Sequence, residues 1–219
     1  MRNDMSIDEQ IRFLFNRLRE WKKLPKYQLE RRADIFISMF LTEALSDKYG
    51  GTWCLVAPEF PLLQRYLPGW DENRTKIVDE RKPALSTNAD YLVSNGSSLF
   101  LLELKTEKNG INEDQIAKYE KVVGAPFREL VEDIKLIQSR TNEKGKYSYL
   151  LSICDKEELK ALNVENVIYV TPDLNQWDTR KIFNFYSLSF TDLIKSLENY
   201  KNKTSLIEEM INSLKEWNK

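Results

Sequence analysis

Two periods alternate along this chain. From Ser6 to Trp21, and again from Tyr27 to Tyr49, apolar residues return every three or four positions, the spacing of one helix face. Ser6 and Glu9 form a capping box for the first helix and Pro25 breaks it, while Gly50-Gly51 stops the second. Residues 52–58 read as a strand. The stretch from Glu59 to Ser86 holds Pro61, Pro68 and Pro83 and reads as a long loop or insertion. Residues 88–94 and 98–106 then flank Asn95-Gly96, a hairpin signal. Helical pattern follows from about Glu113 to Val123, is interrupted by Gly124-Ala125-Pro126, and resumes to about Ser139. Strands are predicted over 147–154 and 167–171, with another candidate at 183–190. Asp155 and Glu158 cap a short helix between the first two. From Asp192 the pattern is helical to the end, with a capping box at Ser205 and Glu208.

This order predicts an α/β fold, a mixed central sheet flanked by helices with extra helices at both termini. The 219 residues, 42% of them hydrophobic, suffice for one domain spanning 1–219. Its core is expected at about 27–154, with the N-terminal helix (6–22) and the C-terminal helices (about 191–218) as additions. No apolar run approaches the ~18 residues of a membrane span, and the first ten residues lack a signal-peptide core. Cys54 and Cys154 stand alone in apolar runs, so neither a disulfide framework nor a cysteine metal site is expected. The expectation is a cytoplasmic protein with no membrane partner; the pattern leaves its oligomeric state open.

Net charge is −1, so a nucleic-acid partner would require a local basic patch. More informative is the complete lack of histidine. It removes Ser-His-Asp hydrolases, histidine-based nucleases and histidine-ligated zinc enzymes. Hydrolysis would have to use carboxylates, lysine, tyrosine or a hard cation such as magnesium.

Those groups converge on the hairpin. Glu103 and Lys105 alternate with Leu104 and share one strand face. A two-residue loop at Asn95-Gly96 pairs Asp90 with Leu101, and a four-residue loop pairs it with Glu103. Both put Asp90 on the face of Glu103 and Lys105, whereas a three-residue loop would not. Carboxylates on neighbouring positions of a sheet face lie roughly 5 to 8 Å apart and repel unless a cation stands between them. Lys105 alone could neutralise them. The functional alternative is a Mg2+ (or Mn2+) site with Lys105 beside the attacking water and positioned to stabilise charge on a phosphate.

Ala89-Asp90, twelve intervening residues and Glu103-Leu104-Lys105 resemble the D…ExK signature of the PD-(D/E)XK nuclease superfamily. The resemblance covers about Tyr27 to Cys154 and implies a restriction-endonuclease-like core of order α-β-β-β-α-β. It implies that Asp90 and Glu103 bind the metal, helped by the carbonyl of Leu104, and that Lys105 is catalytic. Glu43 fits the acidic residue often found on the family's first helix; an ordinary buried salt bridge is the other reading. Gln115 and Tyr119, four apart on the next helix, resemble the QxxxY motif of nucleases related to the exonuclease domains of recombination helicases, where the pair holds the substrate backbone. A solvated helix face is the alternative. Ala89 replaces the family's proline, and the cysteine cluster of its iron–sulfur members is lacking, which points to the cluster-free branch.

The expected activity is metal-dependent hydrolysis of phosphodiester bonds in nucleic acid, with DNA ahead of RNA. The alternative is a non-catalytic nuclease-fold protein serving as a nucleic-acid or protein-binding subunit. Between Ile11 and Arg32, Arg12, Arg17, Arg19, Lys22, Lys23, Lys26, Arg31 and Arg32 are opposed only by Glu20 and Glu30, and Trp21 and Tyr27 lie among them. This is the best candidate footprint for nucleic acid, with an amphipathic helix burying Trp21 as the alternative. Arg65, Arg74, Lys76, Arg81 and Lys82 form a weaker one.

Overall fold

The computed structural model describes residues 6–21, 29–63, 86–107, 110–174, 182, 184–200 and 204–219. Helices α1 (Ile7–Trp21) and α2 (Glu30–Tyr49) precede three antiparallel strands, β1 (Cys54–Leu63), β2 (Ser86–Ser94) and β3 (Leu99–Leu104). Four helices cross over: α3 (Glu113–Val122), α4 (Phe127–Arg140), α5 (Lys144–Cys154) and α6 (Glu157–Lys160). Strands β4 (Val164–Thr171) and β5 (Tyr186–Ser189) then join in parallel, giving a mixed sheet ordered β1-β2-β3-β4-β5. Helices α7 (Phe190–Glu198) and α8 (Ser205–Trp217) end the chain.

Strand alternation divides the core in two. Phe100, Leu102 and Leu104 of β3 face one way, with Ile168, Val170 and the apolar sides of α1, α2, α7 and α8. Leu99 and Leu101 face the other way, with Val167, Tyr169 and residues of α3 and α4. The central β3 is therefore covered on both faces, and all six of its residues are buried.

Four features differ from the sequence expectation. Residues 147–154 belong to helix α5, not a strand. Tyr147, Leu150, Leu151 and Cys154 sit at i, i+3, i+4 and i+7 and form its inward side, while Ser148, Tyr149 and Ser152 are exposed. The parallel neighbour of β3 is consequently Val164–Thr171, and the sheet core runs beyond Cys154. The strand expected at 52–58 continues to Leu63, so 59–63 are not loop. Pro58 and Pro61 are tolerated because β1 is an edge strand; residues 64–85 lie outside the described residues. At the C-terminal helix the cap is Thr204 rather than Ser205, whose hydroxyl instead donates to Asp8 at 2.5 Å. Asp155 does not cap the short helix α6, whose N-cap is Lys156 without a side-chain bond, and it pairs with Lys135 and Lys160 instead. The expected box of Ser6 with Glu9 is formed. Among the described residues, no helix is long and apolar enough to cross a membrane.

Arg19 ties the first helix to the last. Its guanidinium donates to Ser213 Oγ at 2.9 Å and Glu209 Oε2 at 2.8 Å, with its side chain only 16% exposed. Removing it leaves Glu209 partly buried beside an unfilled space. Arg19→Ala should therefore cost about 1–3 kcal/mol in urea denaturation, against roughly 0.5 kcal/mol or less for the exposed Arg12→Ala. Equal effects would show that this contact does not anchor α1.

Candidate active site

The hairpin closes with the four-residue loop Asn95–Ser98. Asn95 Oδ1 accepts from the Ser97 and Ser98 amides at 3.1 and 2.9 Å, and Gly96 takes φ 89°, which favours glycine. The ladder runs Ser94↔Leu99 to Tyr91↔Leu102, and continuing it sets Asp90 opposite Glu103. Asp90 is fastened there by the Leu104 amide, which donates to its Oδ2 at 2.6 Å. On the other side of β2, the pairs Pro58↔Tyr91 and Phe60↔Ala89 set Glu59 opposite Asp90.

Glu103 is 3% exposed, and three side chains serve its carboxylate. Lys105 Nζ lies 2.6 Å from Oε1, Gln115 Nε2 donates to Oε1 at 2.5 Å, and the Tyr119 hydroxyl donates to Oε2. Gln115 and Tyr119 are thus not on a solvated face: one turn apart on α3, they grip Glu103 from above the sheet. The turn beginning α3 is set by Asn112, whose side chain accepts from the Asp114 amide at 2.8 Å. Gly110 packs against the lysine stem; a Cβ there would meet Lys105 Cδ at 3.1 Å.

The third carboxylate comes from the opposite helical layer. Glu30, in the first turn of α2, stands 3.9 Å from Lys105 Nζ. One oxygen each from Glu30, Asp90 and Glu103 lie within 4.8 Å of one another. Glu43, the expected acidic residue of this helix, is elsewhere: exposed and bonded to the Thr42 hydroxyl at 2.9 Å. The buried stripe of α2 is Ala33, Ile37, Phe40, Leu41, Ala44 and Leu45, so Glu43 falls beside the half-exposed Met39, not within the stripe. Thirteen residues, roughly 20 Å of helix, separate it from Glu30. Glu30 lay in the sequence as one of two acids in a basic run, with nothing to mark it.

Charge is crowded here. Burial and then the Glu103 carboxylate push Asp90 up to about 7, against the Leu104 bond that favours its ionised form. Burial likewise raises Glu30 despite Lys105 nearby. For Lys105, burial disfavours the ammonium, but Glu103, Glu30 and Asp90 more than offset it and hold its pKa above the ordinary value. One ammonium among three carboxylates leaves negative charge uncompensated.

A cleft of about 370 Å³ opens onto these groups, lined among others by Glu30, Arg31, Asp34, Glu59, Asp90 and Tyr147. Glu59 holds φ 47° in the left-handed region, a strain of about 1 kcal/mol or more for a residue with a Cβ. Its carboxylate accepts from Asn88 at 3.0 Å. Neither Glu59 nor Asp34 carried a sequence signal.

Of the expected basic footprint, Arg31 lines this cleft and Arg12 and Arg32 are exposed. Arg19 is committed to α8, and Arg17 lies over the rings of Phe13 and Trp21 at 5.0 and 5.7 Å. Trp21 is 43% exposed, so it is not the inward-packed residue of an ordinary amphipathic helix. Lys22, Lys23, Lys26 and Tyr27, and the basic residues of 64–85, lie outside the described residues.

The donor set is three hard oxygen ligands with one fixed cation, suited to magnesium or manganese and unsuited to soft metals. No protein-family model, no curated protein and no solved structure matches this chain.

Proposed function

We propose that this protein is a divalent-metal-dependent nuclease that hydrolyses phosphodiester bonds of nucleic acid, DNA ahead of RNA. The observation that carries the reading is the convergence of Glu30, Asp90 and Glu103 within 4.8 Å, with Lys105 against Glu103. Burial and the Glu103 charge together keep a proton on Asp90, and a divalent cation at this point would offset both. The restriction-endonuclease-like core belongs to the same proposal. It is supported by the order α2-β1-β2-β3-α3 followed by the parallel β4. A cytoplasmic setting, too, is a proposal, resting on the two free cysteines.

Glu30, Asp90 and Glu103 would hold Mg2+ or Mn2+, which when bound supplies Lewis acidity toward a phosphoryl oxygen and water. The remaining work falls to the chain. Lys105 stabilises negative charge developing on the phosphate. Gln115 and Tyr119 fix the Glu103 carboxylate so that little reorganisation accompanies the reaction. The Leu104 amide orients Asp90. Arg31 offers a guanidinium to a phosphate entering the cleft.

One observation favours a second reading. Glu103 already accepts bonds from three side chains, and such a satisfied polar knot could hold the sheet end in a non-catalytic binding subunit.

Cleavage of plasmid, linear and single-stranded DNA and of RNA, in magnesium and manganese, tests the first reading. Glu30→Gln, Asp90→Asn, Glu103→Gln and Lys105→Met should each lower the rate at least about 100-fold, and Glu43→Gln should leave it unchanged. Wild-type rates in the Glu30 variant would remove that residue from the site.

Melting curves separate the two readings without substrate. A cation that binds only the folded protein stabilises it by about 2.7 kcal/mol at a hundred times its dissociation constant. Wild type should show such a rise and Asp90→Asn should lose it. No shift up to tens of millimolar metal would favour the structural knot.

The pH dependence has a definite sign. In the metal-free folded state Asp90 keeps its proton up to about pH 7, whereas in the unfolded chain it releases it near pH ~4. Between these values the folded state binds the extra proton, so stability falls as pH rises. Asp90→Asn should therefore raise the melting temperature of the metal-free protein at pH 8 and not at pH 4. Equal shifts at the two pH values would refute the crowded-charge account.

A further inference from the structure

A second buried lysine stands behind the first. Lys118 lies between Gln115 and Tyr119 in sequence but is 2% exposed, unlike its neighbour Glu120, which is exposed. Its ammonium has two contacts: Thr87 Oγ1 at 3.2 Å and the Tyr119 ring at 4.2 Å. Among the described residues, no carboxylate comes within ion-pair distance of it. A hydroxyl and a ring face are weak compensation for burying an ammonium. Burial pushes its pKa down to about 8, with the Lys105 charge adding to the effect and the Glu103 and Asp90 carboxylates only partly opposing it.

Lys118 also lines a cleft, of about 380 Å³, together with Thr87, Lys105, Gly110, Asn112, Asp114 and Gln115. This cleft is distinct from the one containing Glu30, Asp90 and Glu59. Leu104 lines one and the next residue, Lys105, the other. A strand continuing from the carboxylates past Lys105 would meet the Asp114 carboxylate but also two ammonium groups, a hydroxyl and two side-chain amides. The ammonium, hydroxyl and amide groups suit the non-bridging oxygens of a phosphodiester and give little to a base.

We propose that Lys118 and Thr87 form a phosphate subsite that holds the nucleic-acid backbone next to the scissile linkage. The inference rests on the nuclease reading for its substrate. It adds a residue that touches the strand without touching the metal ligands. The ammonium is the group offered to a phosphate oxygen, and its contacts with the Thr87 hydroxyl and the Tyr119 ring hold it in place. Bound phosphate would supply the direct ion pair that Lys118 does not make among the described residues.

The probe is a fluorescent single-stranded 20-mer in calcium, together with a series in which one linkage at a time is a neutral methylphosphonate. For wild type, neutralising the linkage that meets Lys118 should weaken binding about tenfold. In Lys118→Met the all-phosphate 20-mer should bind about tenfold more weakly, and the slope of log Kd against log salt should fall by about 0.7, the loss of one contact on a single strand. That variant should no longer respond to the neutral linkage, which a purely structural lysine would not produce. Lys118→Arg, which keeps the charge, should retain the response and serves if the methionine variant does not fold. If Lys118→Met binds like wild type, or weakens equally at every linkage, the subsite is wrong. If wild type binds the 20-mer but never cleaves in magnesium, the nuclease reading falls while the linkage series still decides on Lys118. If wild type cleaves and no linkage couples to Lys118, only the subsite falls. If wild type does not bind the 20-mer at all, both fall.

Discussion

A carboxylate buried at the end of a central strand is the constraint around which this molecule is arranged. Glu103 cannot stand in the interior ionised and alone, because its desolvation would outweigh any local packing gain. Its surroundings answer that demand from two directions. Lys105 comes from the same strand, and Gln115 and Tyr119 come from the following helix, while Asp90 on β2 adds to the crowding. Lys105 is in turn supported by Gly110, which lets the chain pass close to its stem. Even the position of α3 over the sheet has a polar reason, in addition to the apolar contacts of Ile116, Tyr119 and Val122.

What sequence could reveal was what short-range rules govern. Alternation put Glu103 and Lys105 on one face, and the parity of the hairpin loop put Asp90 with them. The four-residue spacing put Gln115 and Tyr119 on one side of a helix. Each of these inferences needs only neighbouring residues. Glu30 required knowing which end of α2 approaches the end of β3, a tertiary fact. Glu43 was favoured by the family's pattern of an acid on the first helix, yet it lies beside Met39, which is 53% exposed. The α5 segment misled for a different reason. A short apolar run fits either period, and its polar interruptions at Ser148 and Ser152 were weaker than the apparent strand. Lys118 was hidden because lysine at a helix position reads as solvent-facing; only packing shows it buried.

The two clefts have different electrostatic characters, and β3 separates them. The side toward α2 and β1 is rich in carboxylates, with Arg31 as a counterweight. The side toward α3 carries Lys105 and Lys118, with Asp114 as the opposing charge in its lining. A polyanion approaching the acidic side would be repelled without a cation, and attracted on the basic side without one. Polarity of this kind gives a strand a direction before any base is read.

Glu30 and Glu103 also belong to different halves of the core. Glu30 is carried by a helix packed with α1, α7 and α8, and Glu103 is gripped by a helix packed with α4 on the other face of the sheet. Neither half contains the full set of ligands. A chain emerging from synthesis, or one that has opened on one face, therefore holds at most a fragment of the site. Under the proposed metal-dependent reading, competence to take up metal is tied to completion of the whole sheet and both its coverings. If the protein is the nuclease proposed above, this would act as a safeguard in a cell, since a half-folded copy would be inert and a divalent ion would help to draw the last stage of folding to completion.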